Sequence, residues 1–180
     1  GIFMTGGFFL GPRDFYERLR TMPPQDLAKI DMTRIDFINQ LYGDDQLKRA
    51  QRRKARFINT TMIVTLLGAA ASDALESGQV VSGVGGQYNF VAMSHALPDA
   101  RLLMMLRATH DNKDGLRSSI VWSYGHVTIP RHLRDVVITE YGVADLRGQS
   151  DSEVVKRLIA IADSRFQEGL VKEAKAHGKL

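Results

Sequence analysis

Three stretches of this chain carry residue types that could do chemistry. The run SGVGGQ at positions 82–87 places Gly83, Gly85 and Gly86 within four positions, behind the β-branched Val80 and Val81. Glycine permits positive φ and lets another molecule approach the backbone closely. Where such a loop joins a strand to a helix, its N–H groups can hold an anion or an oxyanion. A tight turn would use the same glycines, and the loop alone leaves both readings open. It is not a P-loop, because the Lys-Ser/Thr pair is missing, and Tyr88 stands where GxGxxG needs its third glycine. The second stretch is VITEYGVADLRG, in which Glu140 closes an apolar strand. Strand ends in α/β sheets are where ligands bind, yet an ion pair with Arg147 or Arg131 would explain the same carboxylate structurally. The third is RFINTT, where the amide of Asn59 interrupts an apolar strand. A buried Asn commonly just satisfies backbone groups, or it helps shape a site beside the glycine loop.

The elements that must position these residues belong to an ordinary globular composition. The 180 residues suffice for one domain with a sizeable core, and 44% hydrophobic with 24% charged is typical of soluble proteins. No apolar run reaches the ~18 residues of a membrane span, and the start GIFMTGGFF lacks the basic and long apolar regions of a signal peptide. Cysteine is absent and the five histidines show no metal-binding spacing. No metal or resident cofactor is expected, and a cytoplasmic location fits. Of the formal net charge of +4, much sits in residues 48–56, where Lys48, Arg49, Arg52, Arg53, Lys54 and Arg56 crowd nine positions. The run reads first as a solvated helix face. A nucleic-acid patch is disfavoured, since short basic runs are weak motifs, and attraction of an anionic ligand or partner domain is a third reading.

Strand and helix signals alternate along the chain. Pro12 suits the first helical position before RDFYERLR, and Pro23 and Pro24 stop that helix. AKIDM reads as a short strand, and residues 57–67 as one strand broken at Gly68. A further extended run is expected in GQVVSG, then a helix over about 87–97 and a strand in ARLLMMLRAT, apolar enough to be buried on both faces. HDNKDGLRS reads as a polar loop; SSIVWSYG and RDVVITEYG as short strands. Ser150, Asp151 or Ser152 caps an amphipathic helix carrying Val154, Val155, Leu158, Ile159 and Ile161, and a second helix follows. Such alternation argues for an α/β layer fold.

Taken together, IDFINQLYG, RFINTTMIVTLLGA, SGVGGQYNFV, SSIVW, TIPRHLRDVVITEYGVADLRG and IADSRF resemble the C-terminal domain of the acetyl-CoA hydrolase/transferase family, from about residue 7 to 170. Asn59 and Gly86 lie 27 positions apart, similar to that family's IN…GxGG spacing. The resemblance implies a CoA-transferase-like (NagB/RpiA-like) α/β half-domain: a largely parallel sheet flanked by helices. It implies that residues 1–180 are one C-terminal domain of a longer two-domain chain.

The resemblance also implies a mechanism. A glutamate carboxylate attacks an acyl-CoA thioester, an acyl-glutamyl anhydride forms, and the CoA thiolate returns to give an enzyme–CoA thioester. A second carboxylate acid, or water in a hydrolase, completes the cycle, with ping-pong kinetics. Each tetrahedral oxyanion needs preorganised donors. By resemblance Gly86 supplies a backbone N–H and Asn39, in FINQLYG, the amide, with Asn59 as the competing asparagine. Gly83, Val84, Gly85 and Gln87 complete the substrate loop, and Lys113 matches a lysine that helps hold CoA. Glu140 matches the family's second glutamate, which assists near the site, and is expected to be partly buried beside the loop. The nucleophile of the family lies in a GIHTEM-like motif, which these residues lack, as they lack its GxGxxP segment. Coenzyme A is thus expected as substrate rather than cofactor. The implied partners are acyl-CoA, small carboxylates and the N-terminal domain, with room for a homodimer. An alternative is a non-catalytic interaction domain that keeps the fold.

Overall fold

The computed structural model describes residues 1–180 and divides them into two compact units, residues 1–51 and 52–180. The first contains β1 (Met4–Gly6), α1 (Arg13–Arg20), α2 (Pro24–Leu27), β2 (Ile30–Met32), α3 (Ile35–Asn39) and α4 (Asp45–Gln51). β1 and β2 pair in parallel. Pro12 is the cap of α1 rather than its first residue. Within this unit Lys48 is buried, which corrects the reading of residues 48–56 as one solvated face. Its ammonium donates to the carbonyls of Gln40 (3.0 Å) and Tyr42 (2.8 Å) and lies 4.2 Å from the Phe37 ring centre. A buried cation is tolerated only when it is hydrogen-bonded in this way.

The second unit runs β3 (Arg56–Thr60), β4 (Ile63–Thr65), β5 (Ala70–Ala71), α5 (Gln87–Ala96), β6 (Arg101–Met105), β7 (Thr109–Asn112), β8 (Gly115–Ser118), β9 (Ile120–Val121), a 3-10 turn (Arg131–Leu133), β10 (Val136–Thr139), β11 (Gly142–Asp145), α6 (Asp151–Ala160) and α7 (Ser164–Ala176). Its main sheet has the order β11-β10-β6-β3. β3, β6 and β10 are parallel, and β11 is an antiparallel edge. A smaller sheet, β5-β4-β9, lies beside it, and β7–β8 form a separate two-stranded ribbon. The architecture is α/β, with the parallel part of the main sheet as expected.

Alternation along the strands places Phe57, Leu102, Met104, Val137 and Ala144 in the core. α5 packs on this layer, with Phe90 against Phe57 at 5.6 Å between ring centres. α6 buries Val154, Val155, Leu158 and Ile159, and Ser150 caps it by accepting from the Glu153 N–H. The long apolar run 57–67 is two strands in two sheets, not one. Thr61 marks the break: its N–H donates to Met105 O, closing the main sheet, and its hydroxyl donates to Ala71 O across to the smaller one. The segment read as a polar loop is the β7–β8 ribbon, turned at Lys113 and Asp114 with Gly115 at φ +104°. The extended run expected in GQVVSG is reduced to one bridge between Ala74 and Val80.

Candidate functional site

β3, β6 and β10 end level with one another, since Met105 pairs with Thr60 on one side and Ile138 on the other. Their carboxyl ends form the edge where parallel sheets bind ligands. α5 begins at this edge. The Gln87 side chain, in its first turn, donates from Nε2 to the carbonyl of Thr60 (2.7 Å) and approaches the sulfur of Met104 (3.6 Å). This strap fixes the helix start against the end of β3.

The glycine loop sits directly before it. Gly85 has φ +59°, a conformation that favours glycine, whereas Gly86 has φ −89° and caps α5 without any side-chain bond. The amides of Gly85, Gly86, Tyr88 and Asn89 donate to no acceptor in the chain. Some of this is the rule for a first helical turn. Here the free donors cluster on a loop whose residues 81–85 are exposed. The stem of the loop is fixed: Val81 and Ser82 donate to the carbonyl of Asp73 at 2.8 and 3.1 Å. The Asp73 carboxylate accepts from the Thr128 hydroxyl and lies 3.0 Å from His126 Nε2. The Thr128 hydroxyl, and after it His126, holds the Asp73 carboxyl below its ordinary range.

Two buried polar atoms at the same place have no partner: Asn59 Nδ2 and Gln87 Oε1. Asn59 pairs in register with Met104, the residue that Gln87 also meets. A donor and an acceptor are thus left over where α5 meets β3. Buried polar groups are nearly always satisfied in folded proteins, so this pair marks either a ligand or a local cost of about 1–3 kcal/mol per group.

Glu140 follows β10 at the same edge, two strands from β3, or roughly 10 Å at the ordinary strand spacing. It is exposed, not partly buried as expected. Its carboxylate is nevertheless held, accepting from the Ala108 N–H at 2.9 Å. Neither proposed arginine pairs with it: Arg147 binds Asp135 (2.6 Å) and Arg131 binds Asp151 (3.0 Å). Lys113 is exposed at the tip of the β7–β8 ribbon and makes no hydrogen bond. Counting extended residues from Ala108, the tip stands roughly 15 Å out. Asn39 belongs to the first unit, at the end of α3, buried with Oδ1 unpartnered.

The second unit therefore brings together Gly83, Val84, Gly85, Gly86, Gln87, Asn59 and Glu140 at one edge. Neither the Gln87–Thr60 strap nor Asp73 as the anchor of the loop was legible in the residues. Both depend on long-range contacts. The arrangement offers several N–H donors, one amide donor and one fixed carboxylate to a ligand bearing a carbonyl or carboxylate oxygen.

Comparison with known proteins shows the family and the fold. Residues 11–174 match the family model of the acetyl-CoA hydrolase/transferase C-terminal domain. A 4-hydroxybutyrate coenzyme A transferase of Clostridium kluyveri is 27% identical over 169 residues, 93% of this chain and 37% of the relative. A succinyl-CoA:cyclohexane-1-carboxylate CoA transferase of Geobacter metallireducens is 30% identical over 176 residues, 96% of this chain and 37% of the relative. The crystal structure of RipA from Yersinia pestis superposes with a TM-score of 0.77 at 28% identity, covering 98% of this chain and 37% of that one. The chain thus spans little more than a third of the length of the proteins it matches.

Proposed function

We propose that this chain, which belongs to the acetyl-CoA hydrolase/transferase family through its C-terminal domain, supplies the oxyanion-binding part of an enzyme that moves CoA between carboxylic acids. One observation carries the proposal. The unbonded amides of Gly85 and Gly86 stand beside the orphaned amide groups of Asn59 and Gln87, at the carboxyl edge of a parallel sheet. Donors placed ahead of reaction stabilise a developing oxyanion without reorganisation.

In this reading the acyl-CoA thioester carbonyl points its oxygen at the Gly86 N–H. The nucleophilic carboxylate comes from outside these residues, where relatives carry the rest of their length. It attacks the carbonyl carbon, and the C–S bond breaks to leave an acyl anhydride and the CoA thiolate. The thiolate then attacks the enzyme's side of the anhydride and releases the carboxylic acid. Glu140, held by the Ala108 amide, lines the same edge, where its carboxylate accepts a hydrogen bond from a donor group of the substrate. Asn59 donates from Nδ2 to the acyl or carboxylate oxygen. Water access to the anhydride then decides between transferase and hydrolase. Acyl-CoA and small carboxylates are the substrates in this reading, and the rest of the protein is the partner domain.

The test is an assay of the full-length protein against acetyl-, propionyl-, butyryl- and succinyl-CoA, with acetate and succinate as acceptors. Acyl exchange or thioester hydrolysis with parallel initial-rate plots is expected, and residues 1–180 alone should show none. Turnover by residues 1–180 alone, abolished by Glu140→Ala, would make Glu140 the nucleophile and overturn the assignment. No turnover by the full-length protein with any pair would favour an interaction domain.

A further inference from the structure

The opposite end of the main sheet holds a second feature, unrelated to the glycine loop. α5 runs between them: Gln87 stands at the loop end and His95 near the other, separated by about 12 Å for eight residue steps of helix. Around the amino-terminal ends of β6 and β10 lies an open cleft of about 800 Å³, lined by His95, Arg131, His132, Arg134, Arg147 and Asp151.

The charges here do not balance. Arg131, Arg134 and Lys179 all converge on the single carboxylate of Asp151, at 3.0, 3.3 and 3.2 Å. Arg147 adds a fourth cation. It binds Asp135 through Nη2 and the Ala100 carbonyl through Nη1, and its buried Nε–H has no partner. Asp135 is shared with Arg101, which Asp145 also binds at 2.6 Å, so these two carboxylates match Arg101 and Arg147, and the surplus lies with the three cations on Asp151. A network serving only to hold the fold would be expected to match its charges, because unpaired like charges repel. Arg131 is also more than half exposed, with one bond, to Asp151. It is free to turn toward a ligand.

We infer that this cleft binds a small phosphorylated ligand carrying at least two phosphoryl groups. Guanidinium forks match phosphate oxygens in pairs, which an isolated ammonium cannot do. A surplus of more than one positive charge calls for a polyanion. The concave, limited cleft fits a small molecule better than a duplex nucleic acid, whose backbone needs an extended basic track. His132 makes no hydrogen bond in the chain and adds a donor at the rim. The inference does not depend on the catalytic reading, since none of these residues belongs to the glycine-loop edge.

Inorganic pyrophosphate is the probe, titrated calorimetrically into the full chain at low ionic strength. Saturable binding is expected. Arg131→Gln should weaken it about fivefold, the effect of one unit charge at contact distance in a well-solvated setting, and Lys179→Gln, at a cation behind the lining, by less. Asp151→Asn should strengthen it by a similar factor, because it removes the one carboxylate of the cleft and releases Arg131 and Lys179, while Arg134 stays held by the Leu67 and Gln149 carbonyls. The opposite signs separate ligand binding from general damage to the fold, and melting curves of the two lysine and arginine variants check that they remain folded. ADP should compete with pyrophosphate, and citrate of comparable charge should compete at least tenfold more weakly. No saturable heat, equal affinity in wild type and all three variants, or citrate competing as well as ADP would overturn the inference.

Discussion

The two ends of the main sheet differ in how far their buried polar groups are satisfied, with Arg147 Nε the atom left over at the amino-terminal end. At the amino-terminal end, the fully buried Asp135 accepts from Arg101 Nε, the Leu102 N–H and Arg147 Nη2 at 2.6–2.9 Å. At the carboxyl end, Asn59 Nδ2 and Gln87 Oε1 are buried and bonded to nothing, beside amides that also lack partners. A satisfied carboxylate ties β6, β10 and the segment after β11 together. Beyond the Gln87 strap to Thr60, the two leftover amide atoms cost folding and remain to be paired by a ligand. The contrast sets a carboxylate that serves the fold against amide atoms that the proposed site would use. At the amino-terminal end the invitation to a ligand comes instead from surplus charge around Asp151, outside the Asp135 hub.

The largest effect is expected at the satisfied end. Asp135→Ala strands two arginines and the Leu102 amide, and breaking such a buried pair costs about 3–5 kcal/mol. For a chain of this size that corresponds to a melting temperature lower by roughly 6–20 °C, read by differential scanning calorimetry. A loss under about 1 kcal/mol would show that the hub is only a surface pair and would erase the contrast. At the other end Asn59→Leu should change stability by less than about 1 kcal/mol, since it deletes an amide whose buried Nδ2 has no partner. It should weaken acyl-CoA binding by the full-length protein about tenfold, the equivalent of one lost hydrogen bond to a ligand. A large stability loss without a change in KM would mean that Asn59 is structural.

A pH effect sharpens the comparison from a third place. Asp163 caps α7, and Arg165, its own backbone N–H and the Tyr141 hydroxyl hold its carboxyl well below the usual carboxylate range. The folded value is therefore lower than the unfolded one of about 3.9. Its contribution is complete above that value and lost as pH falls toward the folded value. Between pH 5 and 3, wild type should lose melting temperature more steeply than Asp163→Asn. Parallel curves would show that the carboxylate adds no pH-dependent stability. The smallest effect is expected for Gly85→Ala, which forces alanine to φ +59° in open space. That strain costs about 1 kcal/mol, or a melting temperature lower by about 2–4 °C.

Much of this was legible in the residues. The β-branched and apolar runs found β3, β6 and β10, the glycines announced the start of α5, and Ser150 marked the cap of α6. What escaped was structure without an apolar signature. The β7–β8 ribbon is polar and largely exposed, so no period-two pattern betrayed it, although Asp114-Gly115 at its turn is a hairpin signal. β11 is a four-residue edge with only Ala144 fully buried. Lys48 was read as solvated because its acceptors, Gln40 and Tyr42, become available only once the chain between them folds back. At the site, Glu140 and the glycine loop stood out by residue type. Glu140 was expected to be partly buried, with an ion pair to Arg147 or Arg131 as the structural alternative to a site role. Its partner is instead a backbone amide, 32 residues earlier in the chain. No spacing rule reaches such a contact, and the same holds for the Asp73 anchor of the loop.

The central claim is that the glycine loop serves a ligand rather than only a turn, and Gly86→Ala tests it most directly. Gly86 has φ −89° and ψ 3°, the conformation ordinary residues take at the third position of a type I turn, so no left-handed strain opposes alanine. In the proposed reading, a methyl group there stands next to the amide that the thioester oxygen approaches. Steady-state kinetics and melting curves of the full-length protein should therefore separate. The account predicts that kcat falls by about 10²–10³, as for loss of one oxyanion donor, with the melting temperature within about 2 °C of wild type. A variant with near-normal kcat, whether its melting temperature falls or not, would contradict it.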